Sequence, residues 1–301
     1  MKKGLRIFEL TMILLFLLSI SFPSPTLAGE RLKVTVSIVP QKYFVQKIAG
    51  GLVDVSVMVL PGASPATYEP RPRQMVELTG SRIYFAIGVP FETVWLKKFA
   101  RSNPGMQIVA TQAGIERIPM RAHLHDDKDR DHRRAVAHAD KDPHIWLSPP
   151  LVMLQARNIL DAIMKVDPTN RKVYETNYRA FIVELVDLDL KISHLFADMG
   201  QNTRFIVYHP AWGYFARAYG LEQIPVEMEG KEPTPKGLQQ IIGDAKKDRI
   251  KAIFVQPQFS TKSASTIARA IGGHVVFADP LAVDWEKNLM QVAEQFKATL
   301  K

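Results

Sequence analysis

Histidine and aspartate concentrate in one stretch of this chain. Five of the eight histidines and six aspartates lie between residues 123 and 144. They are His123, His125, His132, His138 and His144, with Asp126, Asp127, Asp129, Asp131, Asp140 and Asp142. Imidazole and carboxylate are the ligands that Zn²⁺ takes when no thiolate is available, and the chain contains no cysteine. The stretch therefore predicts a site for a divalent transition metal.

Two further candidate ligands follow predicted strands directly. His209 follows a strand over 204–208, and Asp279 follows a strand over 274–278. Ligands of open α/β sheets collect where the carboxyl ends of strands run into loops, so we expect both side chains to meet His144 in one cleft. Each also has a simpler interpretation, since His before Pro can close a turn and Asp-Pro commonly opens one.

The elements that must position these residues alternate between strand and helix. Short β-branched runs alternate with helix-length segments, as where a run over 33–39 is followed by a helical segment over 41–49. This alternation predicts mostly parallel sheets covered by helices. The content of 47% hydrophobic and 23% charged residues is typical of a folded globular protein and excludes a disordered chain.

The fold class predicted is α/β, with two mostly parallel-sheet lobes joined by one long rigid backbone helix and a metal cleft between the lobes. The first lobe spans 29–166 and contains a His/Asp-rich loop over 112–143. The linking helix spans 167–200, because Asp-Pro-Thr is typical of a helix start and no breaker follows before Gly200. Two helices with a hidden turn are the alternative. The second lobe spans 201–301.

The N-terminus has the order of a secretory signal peptide. Three basic residues precede an apolar run over 10–20, and small residues close the segment at Ala28. The run is too short for an ordinary transmembrane helix. We therefore expect residues 1–28 to be a signal peptide, with an uncleaved anchor as the alternative, and the remaining chain to be a soluble periplasmic protein.

The positive net charge of the chain is only a weak argument for nucleic-acid binding. Without residues 1–28 there are 36 basic and 29 acidic residues, a net charge of +7. We expect no nucleic-acid partner, because no basic patch is interleaved with aromatic residues and the protein is exported. The absence of cysteine excludes a lipid-modified cysteine at the cleavage site.

Several segments of the chain resemble one protein family. They are Pro61–Pro70, Asp142–Pro149, Phe205–Phe215, Glu227–Pro233 and Ala278–Leu281. The sequence is similar to the substrate-binding proteins of bacterial zinc and manganese ABC importers, and to the zinc type in particular, over essentially the whole chain after the signal peptide. The resemblance implies two α/β lobes on a backbone helix, with His144, His209 and Asp279 as three of four metal ligands.

The chain departs from this family at Ala66, where zinc-type members carry histidine. A methyl group cannot bind a metal, so three interpretations stand. Water fills the position, a histidine from 123–138 completes the ligand shell, or the site is degenerate and the protein does something else. Glu69 is a further candidate ligand. Many relatives also have Glu where this chain has Gln256, so a residue that orients a ligand differs there as well.

The ligand types favour zinc over manganese. Manganese-type relatives use more carboxylate, as the preference of that harder ion predicts, whereas His209 supplies an imidazole here. The four loop histidines resemble the charged insertion of zinc-type members and are candidates for extra, weaker ligands. They are His123, His125, His132 and His138. A solvated tether without a metal role is the alternative.

Four aromatic residues lie beside the candidate ligands in sequence and are expected to form an apolar shell around the metal or to belong to the core. They are Trp146, Trp212, Tyr214 and Phe215.

The expected function is capture of Zn²⁺ in the periplasm and its delivery to an ABC permease in the inner membrane for high-affinity uptake. A periplasmic zinc chaperone is a further expected partner, and the protein is expected to be a monomer. A degenerate or repurposed paralogue, adhesin-like or metal-buffering, is the alternative. A zinc hydrolase also uses two histidines, a carboxylate and an open position, but this chain has no His-Glu-x-x-His helix. We therefore expect that this protein is not an enzyme.

Overall fold

The structure is a computed structural model that describes residues 31–120, 141–227 and 231–300. Within these ranges the chain forms two four-stranded parallel sheets, each flanked by helices, and one long helix between them in sequence. The predicted α/β fold class is confirmed.

The first sheet has the strand order β2-β1-β3-β4 and is parallel throughout. Its strands are β1 (Leu32–Val36), β2 (Val53–Val57), β3 (Ile83–Ala86) and β4 (Gln107–Ala110). The helices of this half are α1 (Val39–Ala49), α2 (Pro72–Leu78), α3 (Glu92–Ser102) and α4 (Pro149–Val166). Every residue of β3 is buried, as expected for an inner strand covered on both faces.

The second sheet repeats this arrangement with the order β6-β5-β7-β8, again parallel throughout. Its strands are β5 (Thr203–Val207), β6 (Leu221–Pro225), β7 (Ala252–Val255) and β8 (His274–Phe277). The remaining helices are α6 (Gly213–Ala218), α7 (Pro235–Lys247), α8 (Lys262–Ala270) and α9 (Trp285–Thr299). Thr234 caps α7 by accepting a hydrogen bond from the Gly237 amide, which fixes where that helix begins.

The helix that connects the two halves, α5, is continuous over Arg171–Phe196. At 26 residues it is about 39 Å long. The predicted linking helix over 167–200 is longer than this: Pro168–Asn170 forms a separate 3₁₀ turn. Asp167 accepts hydrogen bonds from Asn170 Nδ2 (2.7 Å) and Tyr174 Oη (2.5 Å), which hold that turn. The division of the chain into lobes at 166 and 200 stays a prediction, because residues 32–301 form one compact unit.

Two tryptophans join α9 to the 3₁₀ turn Ile145–Leu147, which begins directly after His144. Trp285 Nε1 donates to the Trp146 carbonyl (2.8 Å), and Trp146 Nε1 donates to the Pro280 carbonyl (2.7 Å). Both rings are buried. This interlock fixes the turn that carries His144 against the loop that follows β8.

Some predictions fall outside the described residues. The signal peptide 1–28 lies there, as does the part of the His/Asp-rich loop over 121–140. Among the helices that the structure describes, none is long and apolar enough to span a membrane.

Candidate metal centre

Loops that leave the carboxyl ends of strands in both sheets meet around one cavity. His209 lies two residues beyond β5, and the loop after β2 contributes Ser64, Pro65 and Ala66. Gln256, Gln258 and Phe259 follow β7, and Pro280 and Leu281 follow β8. This is the edge at which open α/β sheets bind ligands.

His144 and His209 come together at this cavity. Their Nε2 atoms are 3.3 Å apart, and their ring planes meet at 73°. Two nitrogen ligands at 2.0–2.1 Å from one zinc ion, at the tetrahedral angle, lie about 3.3–3.4 Å apart. The spacing of the two imidazoles therefore suits joint binding of a tetrahedral metal.

Buried carboxylates fix the proton positions on both imidazoles. His144 Nδ1 lies 2.7 Å from Asp142 Oδ1, and His209 Nδ1 lies 2.7 Å from Glu227 Oε1. A carboxylate accepts hydrogen bonds, so Nδ1 of each ring is the donor and Nε2 is the nitrogen left to offer a lone pair to a metal. Two lone pairs facing each other at this distance repel unless a cation lies between them. The arrangement suits the binding of a cation between the two rings, and carboxylates placed in this way raise the basicity of the imidazoles they hold.

Burial also keeps His144 neutral. It lowers the pKa of the His144 imidazole below its ordinary value, while the neighbouring Asp142 carboxylate acts in the opposite direction. The unprotonated ring is the form that binds a metal.

Backbone and ring contacts hold His209 from two sides. The Gln256 side chain donates to the His209 carbonyl (2.7 Å) and accepts from the His209 amide (3.2 Å). The Phe259 ring stacks on the imidazole at a centroid distance of 5.0 Å. Gln256 thus holds the backbone of His209 in place, and Phe259 packs on the ring whose Nε2 lies near His144.

A close approach of α6 positions the carboxylate of Asp142. A Cβ atom at Gly213, the first residue of α6, would lie 2.9 Å from Asp142 Oδ2 and 3.0 Å from Gln223 Nε2. The Tyr214 hydroxyl donates to the Asp142 carbonyl (2.9 Å), and burial raises the pKa of Tyr214 to about 12. Glycine at 213 thus gives the carboxylate the room it needs beside His144.

The cavity itself has a volume of about 60 Å³ and is mostly apolar. A bound water needs roughly 10–15 Å³ of such space, so a metal and a small ligand fit. Its apolar lining consists of Pro65, Ala66, Val89, Pro90, Met120, Pro143, Trp146, Phe259, Pro280 and Leu281. Ala66 lies in this wall, and its side chain offers no donor atom.

Asp279 lies beside the cavity but is not part of its lining. Its Oδ1 accepts hydrogen bonds from the Leu281 amide (2.9 Å) and from Gln258 Nε2 (3.3 Å), and Gln258 does line the cavity. Within the described ranges no group of three or more His, Asp or Glu side chains is close enough to hold a metal. Two of the three predicted ligands are therefore brought together, and the role of the third stays a prediction.

The chain is similar to proteins of a known family. Residues 34–299 match the model of the family described as "Zinc-uptake complex component A periplasmic". The chain belongs to this family. It is 30% identical to the high-affinity zinc uptake system protein ZnuA of Bacillus subtilis over 248 residues, which is 81% of this chain and 76% of that protein.

A solved ZnuA crystal structure is 42% identical to this chain, with a TM-score of 0.82, and the match covers 90% of this chain and all of the other. The zinc-binding protein AdcA of Streptococcus pyogenes serotype M3 is 25% identical over the whole chain but longer, and the chain spans 60% of its length. The resemblance to zinc-type binding proteins is confirmed. A transport-component family also confirms the expectation that this protein is no enzyme.

The other residues that the sequence suggested for the metal site fall into three groups. Glu69 is exposed and is not part of the cavity lining. His123, His125, His132 and His138 lie outside the described residues. Of the four aromatic residues, Trp146 lines the cavity, Tyr214 bonds to Asp142, and Trp212 and Phe215 pack against Phe296 in the core.

Sequence reasoning missed the residues that orient the ligands. Asp142 lies two positions before His144, and Asp-Pro-His is a recognisable pattern for a carboxylate beside a ligand. Glu227 comes two residues after β6, so its position at a strand end also carried a signal. Phe259 and Met120 lie in loops without periodicity, and nothing in the sequence alone pointed to them.

Proposed function

We propose that this protein captures Zn²⁺ in the periplasm and delivers it to the membrane permease of an ABC importer. Membership of the zinc-uptake family supports zinc as the cargo and the importer as the partner. The observation that carries the proposal is the distance of 3.3 Å between the Nε2 atoms of His144 and His209. Export by a signal peptide over residues 1–28, a zinc chaperone as second partner and a monomeric state belong to the same proposal.

His144, His209 and Asp279 are the ligands in this proposal. Both described hydrogen bonds to the Asp279 carboxylate engage Oδ1, so Oδ2 is the oxygen assigned to the metal. Water takes the fourth position beside Ala66. Two imidazoles, one carboxylate and one water form a four-coordinate zinc shell. This shell holds the ion less firmly than one with a third imidazole, which suits a carrier that must release its cargo.

Replacing His209 with alanine tests the proposal. Because one of two paired imidazoles is lost, we expect tight zinc binding to disappear in a competition titration with a chelating dye. His274→Ala is the matched control, since His274 is exposed on β8 and does not line the cavity. Zinc affinity and stoichiometry in His209→Ala equal to those of His274→Ala would refute the site.

A further inference from the structure

The cavity is lined by a methionine that the proposed zinc site does not use. Met120 lines it together with His144 and His209, and Met120 is partly buried. Within this lining the amide of Gln256 is engaged by the His209 backbone, and the amide of Gln258 donates to Asp279. The other side chains of this lining that could bind a metal are thus Met120, through its thioether, and Ser64, through its hydroxyl.

The residues directly before Met120 are anchored to the segments that surround the histidine pair. The Ile118 amide donates to Tyr214 Oη (3.0 Å), and the Ile118 carbonyl accepts from the Asp142 amide (2.9 Å). Arg117 Nη1 donates to the Gly88 carbonyl (3.1 Å), which precedes the cavity residues Val89 and Pro90. Pro119 pairs with Lys141 in an antiparallel bridge. Met120 is therefore held at the cavity by the same Asp142 segment that orients His144.

Few oxygen donors accompany the two imidazoles. The carboxylate of Asp279 is outside the cavity lining, and Ala66, which lines the cavity, has no donor atom in its side chain. Two imidazoles and a thioether in an apolar pocket form a low-coordinate set of borderline and soft ligands. Soft thioether ligands select Cu(I) over harder divalent ions, and a monovalent ion needs no carboxylate to balance its charge.

We propose that the cavity is also a Cu(I) site, formed by His144 Nε2, His209 Nε2 and the Met120 sulfur. This inference rests on the paired imidazoles of the proposed zinc site. The two metals share those imidazoles and differ in the third ligand, which is Asp279 for zinc and Met120 for Cu(I). Zinc and Cu(I) therefore compete for one site, and each depends on a residue that the other does not need.

Two conservative variants separate the metals. Met120→Leu keeps the apolar volume and removes the sulfur, while Asp279→Asn keeps the shape and removes the charge. Cu(I) affinity is measured without oxygen by competition with a Cu(I)-specific chelator, and zinc affinity by competition with a zinc dye. Met164→Leu is the control, since Met164 lies on α4 and is not part of the cavity lining.

We expect Met120→Leu to bind Cu(I) at least about tenfold more weakly and zinc unchanged within about twofold, and Asp279→Asn to show the reverse. Cu(I) affinity in Met120→Leu equal to that of Met164→Leu would overturn the inference. An equal loss of both metals in Met120→Leu would overturn it too, because the side chain would then only support the pocket. Failure of the wild-type protein to bind zinc would count against the proposed function, and the Cu(I) comparison would still decide the role of Met120.

Discussion

The proton positions on two imidazoles decide what this cavity can bind. Asp142 and Glu227 each hold the Nδ1 proton of a histidine, which leaves two Nε2 lone pairs turned towards each other. Neither carboxylate is a ligand in the proposed zinc shell. Their contribution is orientation and basicity, the two properties that partners of metal-bound histidines commonly supply.

Glu227→Gln should weaken zinc binding by about 10- to 100-fold, because the glutamine amide oxygen can still accept the hydrogen bond from Nδ1 but brings no charge to the imidazole. The dissociation constant from dye competition measures the change. Glu77→Gln is the control, since Glu77 pairs with Arg73 on the surface of α2. If Glu227→Gln binds zinc as tightly as the control, the carboxylate does not act on the ligand.

Ala66→His should strengthen zinc binding by about one to two orders of magnitude, because an imidazole replaces water and completes a three-His, one-Asp shell. The loop path supports this outcome, since Ala66 lines the cavity and the Pro65 carbonyl is held by the Phe91 amide (3.2 Å). Thr67→His is the control, because Thr67 is exposed and not part of the lining. Equal affinity in the two variants would mean that residue 66 does not reach the metal.

At the residue scale, sequence reasoning found side chains that follow strands and missed those that depend on packing. His209 and Glu227 both lie just after strand ends, but only His209 is predicted from the sequence as a metal ligand. The stacking of Phe259 on His209 and the approach of Met120 depend on how separate loops meet. No local pattern encodes that meeting.

At the scale of elements, the contact between α6 and the Asp142 segment positions the first ligand. Gly213→Ala would place a methyl group 2.9 Å from Asp142 Oδ2. We expect the carboxylate to shift and zinc affinity to fall about tenfold, in the range typical of disturbed ligand partners. Dye competition measures the loss.

Gly243→Ala on α7 is the matched control, because its Cβ would meet nothing within 4 Å. That substitution should leave zinc binding unchanged and stabilise the fold by about 0.5–1 kcal/mol, measured by urea unfolding. Matching zinc affinities in the two variants would contradict the proposed role of Gly213.

The bounds of several elements could be predicted because local signals defined them. Pro72–Leu78 and Pro235–Lys247 begin at proline, and Ala252–Val255 is a short apolar run that follows a charged segment and ends before Gln256 and Pro257. The start of α5 could not be predicted correctly. Asp-Pro-Thr is compatible both with the first turn of a helix and with a 3₁₀ turn, and the hydrogen bond from Tyr174 to Asp167 decides for the latter.

At the scale of the whole molecule, the two sheets supply different parts of one site. His209 and Asp279 follow strands of the second sheet, while Ala66 follows a strand of the first and His144 precedes the turn locked to α9 through Trp285. Residues more than 200 positions apart thus line one cavity. The fold class was enough to predict that His144 and His209 lie near each other. The distance between their Nε2 atoms could not be predicted, because it depends on how the loops of the two sheets pack together.

Removing residues 121–140 tests whether the cavity is complete without them. Pro119 and Lys141 form a bridge, so a short glycine linker can join Met120 to Lys141 without disturbing either. We expect the tight zinc site to keep its affinity within about twofold, since the cavity has room for water beside Ala66. Calorimetric titration should show loss of weaker additional zinc only. A fall in tight affinity by orders of magnitude would mean that a histidine from this segment completes the shell.

In the proposed site one zinc ion lies between His144 and His209. A crystal structure of the protein with one equivalent of zinc, with anomalous diffraction data collected at the zinc absorption edge, tests it directly. We expect a single strong anomalous peak 2.0–2.1 Å from Nε2 of both residues. A peak that contacts neither imidazole, in crystals of protein that binds one equivalent tightly, would contradict it.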